Sequence, residues 1–412
     1  MQYRTMKKSG DKLSALGFGT MRLPEKNGKI DEERATKQLR YAIDHGINYM
    51  DTAMFYHMGA CEPFLGKALG DGYREKVKLA TKLPHWFVKN REDMDKLLDV
   101  QLNNLKTDHI DYYLIHNIKG SSWKGMKALG IVDFISRGKA DGRIRNIGFS
   151  AHTGKKDFKA IIDDYAWDFC QIQYNFLDED NQAGTEGLEY AAAKDGLGVI
   201  IMEPIRGGSL AKTPPKEIQS IWDEAKIKRT SAEWALRWVW NHPEVTVVLS
   251  GMNDERHIEE NLRIADEALP GSLTPQELSL VSRVTDTYRK LMKVNCTGCR
   301  YCMPCPNGVN IPGCFDAYNN KYMEGGASPA TPTLAYIIFV GGAAGEQPGY
   351  ASQCEECNEC VKVCPQHIPV PKRLKEVTKE FEGYGFKVMK PLVTGFMAFD
   401  RWRTMRKSRL RG

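Results

Sequence analysis

The sequence predicts an α/β fold in two parts, a barrel and a smaller cysteine-rich domain behind it. Eight short strand-like runs alternate with longer amphipathic stretches over about the first 290 residues, a pattern typical of repeated βα units. Eight of the 11 cysteines stand in two tight groups in the last third of the chain. The expected fold is therefore a (β/α)8 TIM barrel followed by a small, mostly helical domain.

The barrel elements follow one another in chain order. The predicted strands are Ala15–Gly19, Tyr49–Asp51, Val77–Lys82, Ile110–His116, Ile144–Ser150, Phe169–Tyr174, Val199–Glu203 and Val245–Ser250. Helix-length stretches such as Asp31–His45, Asp93–Leu105 and Ser231–Asn241 separate them. A doubly wound sheet is the competing interpretation, and it is weakened because Gly17-Phe-Gly19 lacks the third glycine of a dinucleotide fingerprint.

Polar residues follow three of the predicted strands. Strand two ends in Asp51 with Tyr56 shortly after it, strand three ends in Lys82, and strand four ends in His116. Alone, each has a simple structural explanation, such as a helix cap, a snorkelling lysine or a hydrogen-bonded core histidine. Together they place an acid, a phenol, an ammonium and an imidazole on the rim of the barrel where active sites lie.

This set resembles the catalytic tetrad of the aldo-keto reductase family, and the resemblance covers residues 10–265. It implies that Asp51, Tyr56, Lys82 and His116 are catalytic and that the chain is an NAD(P)-dependent oxidoreductase. The cofactor contacts that it implies are Gly19, Thr20 and Met21 after strand one, Ser150 and His152 after strand five, Gln173 on strand six, Gly207, Gly208, Ser209 and Leu210 after strand seven, and Gly251, Arg256, Glu260 and Asn261 after strand eight.

The chemistry of carbonyl reduction agrees with these residue types. Hydride arriving at a carbonyl carbon builds negative charge on oxygen, which needs a proton from a positioned acid. Tyr56 has a reference pKa of about 10, and we expect Lys82, held by Asp51, to lower that pKa. His116 is expected to orient or polarise the carbonyl, and its presence favours reduction of C=O over C=C. Candidate pocket residues on the rim loops are His57, Trp86, Phe87, Asn117 and Trp123.

The loop after strand eight bears on the choice of cofactor. In the family, members that prefer NADPH often hold its 2′-phosphate with a lysine and an arginine in this loop. Here Arg256 follows Asp254 and Glu255, whose charges would oppose a phosphate. The loop therefore gives NADP only a small preference over NAD. A flavin would be a further candidate cofactor, but the sequence holds no flavin motif.

The cysteines predict two [4Fe–4S] clusters. The groups are Cys296, Cys299, Cys302 and Cys305, and Cys354, Cys357, Cys360 and Cys364. The second group reads C-x2-C-x2-C-x3-C-P, in which three thiolates hold one cluster and the fourth reaches a second one. Zinc is the alternative, but it favours separated C-x-x-C pairs with histidine available. In the first group the spacing before the last cysteine, Cys305, is one residue shorter than in the second group. The sequence therefore does not decide which cluster Cys305 binds, and Cys314 is a reserve ligand.

The two cysteine groups belong to a sequence repeat with an offset of 58 residues. Each group leads to an aliphatic-proline pair, Ile311-Pro312 or Val370-Pro371, and then to a predicted helix, Phe315–Met323 or Arg373–Phe381. The region resembles a duplicated ferredoxin-like module with an insert at 313–353. In such a module each Cys-Pro thiolate crosses to the cluster of the other half.

These elements divide the chain into four predicted segments. They are the barrel (1–272), a connecting helix (273–295), the cluster domain (296–383) and a basic C-terminal tail (384–412). Residues 401–412 hold six Arg or Lys and no acid, and the rest of the chain balances 52 basic with 52 acidic residues, so no nucleic-acid footprint is present. The sequence shows no signal peptide or apolar run long enough to span a membrane, and with its clustered thiols this predicts a cytoplasmic protein.

Two functions are consistent with the sequence. In the first, the barrel reduces a small carbonyl or oxidises an alcohol, and the clusters exchange electrons with a ferredoxin or flavoprotein. In the second, the chain is a redox- or nucleotide-sensing binding protein with structural clusters and little turnover. A nicotinamide carries two electrons as hydride whereas each cluster passes one electron, so the sequence leaves open whether the two centres are coupled.

Overall fold

A computed structural model of the chain describes residues 1–194, 196–267, 269–323, 330–341 and 347–395. The chain divides into two compact units. The first consists of Met1–Ile205 and Ala232–Leu278, and the second consists of Arg206–Ser231 and the residues from Ser279 onward. Among the described residues, no helix is long and apolar enough to cross a membrane. The basic segment 401–412 lies outside the described residues.

The first unit contains a closed barrel of eight parallel strands, which confirms the predicted fold. The strands are β1 (Leu16–Gly19), β2 (Tyr49–Asp51), β3 (Lys78–Leu83), β4 (Ile110–Ile115), β5 (Ile144–Ala151), β6 (Phe169–Gln173), β7 (Gly198–Met202) and β8 (Val247–Ser250). Each strand pairs with the next in chain order, and β8 pairs with β1. All eight fall within two residues of the predicted runs.

Helices connect the strands. They are α1 (Glu32–Asp44), α2 (Cys61–Ala68), α3 (Arg91–Leu105), α4 (Gly120–Ala128), α5 (Ile131–Ala140), α6 (Lys155–Asp163), α7 (Gly184–Ala192), α8 (Lys216–Trp222), α9 (Ser231–Trp240) and α10 (Glu255–Glu267). Two short hairpins, Tyr3–Thr5 with Lys12–Ser14 and Glu25–Lys26 with Lys29–Ile30, precede α1. Side-chain caps set the helix starts: Asp31 accepts from the amide of Arg34, and Asn90 accepts from that of Asp93.

Aromatic residues and the first hairpin fill the N-terminal half of the barrel. Tyr112 packs edge-on against Tyr49 and Phe169, with ring centroids 5.3 and 5.1 Å apart. Met6 of the hairpin closes the bottom beside Gly198, where a Cβ atom would lie 1.9 Å from the Met6 sulfur. A side chain at position 198 would therefore displace the Met6 side chain. The closed bottom leaves the C-terminal rim as the open end of the barrel.

The second unit is mainly helical. After α11 (Pro275–Leu291), which begins in the first unit, its helices are α12 (Ile311–Met323), α13 (Ala330–Ala335), α14 (Glu359–Val363) and α15 (Val370–Phe381), and residues 384–395 are also helical. The two helices predicted from the repeat begin at Ile311 and Val370, so each aliphatic-proline pair forms a first helical turn, where proline is tolerated. Stacked Tyr336 and Phe381 rings, 4.7 Å apart, lie in the core of this unit.

Candidate active site and cluster sites

The four predicted catalytic residues lie at the C-terminal end of neighbouring strands. Asp51 is the last residue of β2, Lys82 lies in β3, and His116 directly follows β4. Tyr56 begins a 3-10 turn, Tyr56–Gly59, in the loop after β2. Parallel strands of one barrel end on the same rim, so the fold alone brings these loops together.

Lys82 is the centre of this group. Its Nζ donates to both carboxylate oxygens of Asp51 at 2.8 Å and to the carbonyl of Thr52 at 2.7 Å, and it lies 3.4 Å from the Tyr56 hydroxyl. The Lys82 side chain is 1 % exposed. Burial raises the pKa of Asp51, and the Lys82 charge opposes that rise. A buried ammonium with three oxygen acceptors is fixed in position. A positive charge therefore lies at a defined distance from the Tyr56 hydroxyl.

The expected lowering of the Tyr56 pKa is wrong for the protein as described. Burial raises that pKa well above its ordinary value, and the negative charge of Asp51 adds to the rise. The physical reason is that the Lys82 ammonium pairs mainly with the Asp51 carboxylate, at two contacts of 2.8 Å. Its contact with the Tyr56 hydroxyl is longer, at 3.4 Å, so its charge stabilises the phenolate too weakly to offset burial. Tyr56 is therefore a neutral phenol, the form that donates a proton.

His116 is a buried, neutral imidazole. Burial holds its pKa well below the ordinary value, and the positive charge of Lys82 contributes in the same direction. The side chain is 6 % exposed, and its Nδ1 has no hydrogen-bond partner among the described residues. Buried polar atoms in native proteins are nearly always paired, so an unpaired one at the rim of the barrel is a candidate contact for a ligand.

Three aromatic side chains form a wall beside His116. Trp86 has its ring centroid 5.1 Å from that of His116, and Phe55 stacks on Phe87 with centroids 5.1 Å apart. Phe55, Trp86 and Phe87 are 42 %, 47 % and 51 % exposed, which is unusual for large aromatic side chains. The sequence pointed to Trp86 and Phe87, but it gave no signal for Phe55.

Two other candidate pocket residues have structural roles. Trp123 is 2 % exposed, packs against Trp167 and donates its indole N–H to Asp164. His57 accepts from the amide of Leu23 through Nε2 and contacts Glu25 through Nδ1, so it fastens the second hairpin to the loop after β2.

Three of the predicted cofactor contacts, Ser150, His152 and Gln173, are buried polar residues. Gln173 donates from its Nε2 to Asp178 at 2.7 Å, while its buried Oε1 has no partner among the described residues. Ser150 Oγ accepts from the amide of Asn117 at 2.8 Å. His152 contacts Gln182 through Nδ1, and burial lowers its pKa to about 4, which keeps the ring neutral. An unpaired buried acceptor fits the amide donor of a nicotinamide.

The loops after β1 and β8 lie side by side. Thr20 Oγ1 donates to the carbonyl of Asp51 at 2.9 Å, and Asn261 donates from Nδ2 to Ser250 Oγ at 3.0 Å. A Cβ atom on Gly251 would lie 3.7 Å from the carbonyl oxygen of Gly19. The two hydrogen bonds hold the ends of β2 and β8, and the short distance between Gly251 and Gly19 places the two loops next to each other. Met21 is 39 % exposed at the same rim.

The two acids in the loop after β8, Asp254 and Glu255, are both paired with arginines. Arg256 is 87 % exposed and pairs with Asp254 at 3.0 Å, while Glu255 pairs with Arg34 of α1 at 2.5 Å. This pairing with Arg34 lowers the pKa of Glu255 to about 2. Arg34 therefore offsets one of the acids expected to oppose a phosphate, and no local sequence signal points to it. Glu260 lies further along α10.

The glycine-rich segment after β7 belongs to the second unit. Gly207 and Gly208 have φ of 67° and 98° inside the 3-10 turn Arg206–Ala211, which also holds Ser209 and Leu210. Arg206 donates to the Met292 sulfur at the end of α11, and Lys212 pairs with Asp316 of α12 at 3.0 Å. Long-range contacts of this kind are invisible in the sequence.

The cluster thiols form two groups that cross the repeat. Burial raises the pKa of Cys302 to about 12, and the nearby Cys296 and Cys364 thiols add to that rise, with a smaller contribution from Cys360. Burial likewise raises the pKa of Cys360 to about 11, with contributions from its neighbours Cys354, Cys357 and Cys305. Each Cys-Pro thiol therefore neighbours the other half's cysteines, the arrangement expected of a two-cluster module.

A cavity of about 190 Å³ lies among the thiols around Cys360. Its lining includes Cys305, Cys354, Cys357 and Cys360, together with Cys302. Within the described residues, no three His, Cys, Asp or Glu side chains converge on a site for a single metal ion. The five thiols that line the cavity are the type of ligand that iron–sulfur clusters require. Cys314 is buried in the core, where it contacts the carbonyl of Gly349, so it packs rather than lines the cavity.

Comparison with known proteins gives two family matches. The profile of the Aldo/keto reductase family matches residues 15–276, and that of the 4Fe-4S dicluster domain matches residues 295–369. L-galactose dehydrogenase of Arabidopsis thaliana is 25 % identical over 71 % of this chain and 96 % of its own length. Methylglyoxal reductase YeaE of Escherichia coli is 26 % identical over 69 % of this chain and 95 % of its own.

A solved structure shares the barrel. The holo form of aldo-keto reductase AKR11C1 from Bacillus halodurans superimposes with a TM-score of 0.57 and 26 % identity, covering 69 % of this chain and 96 % of that one.

Proposed function

Because the chain belongs to the aldo/keto reductase family, we propose that it transfers hydride between a nicotinamide cofactor and a small carbonyl or alcohol substrate, with Tyr56 as proton donor. The chain is an NAD(P)-dependent oxidoreductase with a 4Fe-4S dicluster domain. The observation that carries the assignment of Tyr56 is the Lys82 Nζ, held by Asp51 and 3.4 Å from the hydroxyl of a neutral phenol.

The proposed chemistry follows from the protonation states. A nicotinamide held at this site would supply the hydride that reaches the carbonyl carbon. Tyr56 donates its proton to the carbonyl oxygen, so C=O becomes CH–OH and a phenolate remains. Lys82 stabilises that phenolate by charge, and Asp51 keeps the ammonium in place when the phenol loses its proton. The pair therefore stabilises the negative charge that develops on the phenol oxygen as the proton leaves.

His116 is proposed to position the substrate. Its neutral ring has one buried nitrogen without a partner among the described residues, and a substrate oxygen is a suitable partner. The wall of Phe55, Trp86 and Phe87 favours a carbonyl that carries an apolar or aromatic group.

For the cofactor, we propose that Ser150, His152 and Gln173 hold the carboxamide. The pyrophosphate and adenosine contacts are proposed from the family resemblance, at Gly207–Leu210 and at the loop that contains Gly251 and Arg256. The pairing of Glu255 with Arg34 supports a small preference for NADP, because it removes one unpaired negative charge from that loop.

For the second domain, we propose that its eight cysteines hold two [4Fe–4S] clusters that exchange single electrons with a ferredoxin or flavoprotein. The exposed Cys357 supports exchange with an external partner, because it brings one cluster site to the surface. We retain the cytoplasm as the proposed location, since closely spaced reduced thiols need a reducing compartment.

The pH dependence of turnover tests this function. Anaerobically purified protein is expected to oxidise NADPH only when a carbonyl is present. Because a raised Tyr56 pKa keeps the phenol protonated, kcat/KM for reduction should stay constant between about pH 6 and 9 and fall only above about pH 10. The His116 pKa is lowered, so its ring stays neutral across that range.

A fall in reduction rate within that range would instead mean that Lys82 lowers the phenol pKa in the working complex. Absence of NADPH oxidation with every aldehyde and ketone in a broad panel would contradict the proposed function itself.

A further inference from the structure

The loop after β4 carries a lysine beside the proposed substrate position. Lys119 follows His116 by three residues and is the N-cap residue of α4. The amides of Asn117 and Ile118 donate to the Oγ and the carbonyl oxygen of Ser150 at 2.8 and 2.9 Å. These two bonds fasten the loop to the end of β5, so Lys119 lies on the C-terminal rim of the barrel.

The charge of Lys119 reaches two histidines on this rim. His85 contacts Trp86 edge-on, with ring centroids 5.3 Å apart, and Trp86 contacts His116. Burial lowers the pKa of His85, and the positive charge of Lys119 contributes in the same direction. Burial also lowers the pKa of His152, a proposed cofactor contact, to about 4, again with a contribution from Lys119. Lys119 is therefore close to the space in which a substrate would meet both the aromatic wall and the cofactor.

Lys119 has no counter-charge in the part of the chain that the structure describes. Its side chain is half-buried and makes no ion pair there. Asp157 of α6 accepts from the Thr153 hydroxyl at 3.4 Å rather than from Lys119. Lys82, the cation of the catalytic group, is by contrast paired with Asp51. The loop after β4 therefore offers a positive charge that is available to a ligand.

The start of α4 adds to this positive field. Residues 120–123, which form the first turn of α4, include no acid. Helix N-termini carry a partial positive charge, and the residues preferred at the N-cap are Ser, Thr, Asp and Asn. A lysine at this position is electrostatically unfavourable in the protein alone. A bound anion would remove that cost.

We propose that Lys119 binds a carboxylate of the substrate, so that the preferred substrates are aromatic aldehydes or ketones that carry an acidic group. This inference rests on the proposed carbonyl reduction and narrows its substrate class. The ring of the substrate lies against the aromatic wall, its carbonyl oxygen contacts Tyr56 and His116, and its carboxylate pairs with the Lys119 ammonium. One ammonium matches the single charge of a carboxylate, whereas a phosphate carries nearly two charges.

A pair of substrates tests the proposal with the cluster-loaded protein. 4-Formylbenzoate and its methyl ester share the ring and the aldehyde but differ by one charge. Lys119→Met should lower kcat/KM for the acid at least about tenfold more than for the ester, mainly through KM, because it removes a charged contact with the substrate. Lys119→Arg should restore the preference for the acid. The matched control, Lys124→Met, removes an exposed lysine of α4 and should keep the ratio of the unmodified protein.

A binding measurement separates this inference from turnover. Terephthalate is a diacid analogue of 4-formylbenzoate that cannot be reduced at an aldehyde. In calorimetric titrations with NADP⁺ present, it should bind Lys119→Met at least about tenfold more weakly than it binds the unmodified protein or Lys124→Met. Absence of reduction with every aldehyde would contradict the proposed function, and the terephthalate titration would still decide the role of Lys119.

Three results would overturn the role of Lys119 while leaving carbonyl reduction in place. The first is an equal preference for the acid, and equal terephthalate affinity, in Lys119→Met and the unmodified protein. The second is a loss of NADP⁺ affinity as large as the loss of terephthalate affinity, because the lysine would then hold the cofactor. The third is a larger effect of Lys119→Met on 4-formylphenyl phosphate than on 4-formylbenzoate, because the bound anion would then be a phosphate.

Discussion

Tyr56→Phe is expected to lower kcat for carbonyl reduction by about 10²–10⁴, the usual contribution of a general acid. The change removes one oxygen atom and leaves the ring, so the Lys82–Asp51 pair should persist. Binding of NADPH, followed by quenching of protein fluorescence, should change little, because the phenol lies outside the proposed dinucleotide contacts. Steady-state rates on any accepted aldehyde give the measurement.

A matched control is Tyr41→Phe, which removes the hydroxyl of a tyrosine that is 41 % exposed on α1. This variant should keep full activity. Retained turnover in Tyr56→Phe would mean that another group supplies the proton, whereas a large loss of NADPH affinity would mean that the tyrosine serves cofactor binding.

Paired cysteine variants should reveal which thiols share a cluster. The unmodified protein should contain about eight iron and eight labile sulfide per chain. Cys305→Ala/Cys357→Ala removes two thiols that both neighbour Cys360, so it should destroy one cluster and leave about four iron. Cys302→Ala/Cys305→Ala removes one thiol from the group around Cys302 and one from the group around Cys360, so it should lose both clusters.

The reverse result would contradict the crossed arrangement. If Cys302 and Cys305 served the same cluster, their double variant would keep about four iron, and the Cys305/Cys357 variant would lose both clusters. Zinc without labile sulfide in the unmodified protein would contradict the clusters altogether. Each of these outcomes is read by metal analysis, independently of any activity.

The barrel was predictable because its signals are local. Short β-rich runs such as Phe169–Gln173 and capped helices such as α1 have periodicities and end signals within about ten residues. The common location of Asp51, Lys82 and His116 was predictable from this pattern, because parallel strands bring their C-terminal ends to one rim. Cysteine spacing likewise indicated clusters, and the 4Fe-4S dicluster match at residues 295–369 agrees with that interpretation.

Other features depend on contacts between distant residues. The direction of the Tyr56 pKa shift is one of them. Burial raises this pKa, and the charge of Lys82, which is already paired with Asp51, is too far engaged to lower it. The spacing of residues along the sequence does not encode that balance. The pairing of Arg34 with Glu255 joins α1 to α10. The segment 206–231 groups with the second unit through pairs such as Lys212 with Asp316, which join residues about 100 positions apart.

The most direct test of the proposed function is a single turnover with nicotinamide deuterated at C4. Excess cluster-loaded protein with deuterated NADPH and an accepted aldehyde, kept anaerobic, should yield an alcohol that carries one deuterium on the former carbonyl carbon. Tyr56→Phe should bind the same cofactor and form almost none of this product. An alcohol without deuterium, formed while the visible absorbance of the clusters bleaches, would contradict the account, because electrons and solvent protons would then have replaced hydride.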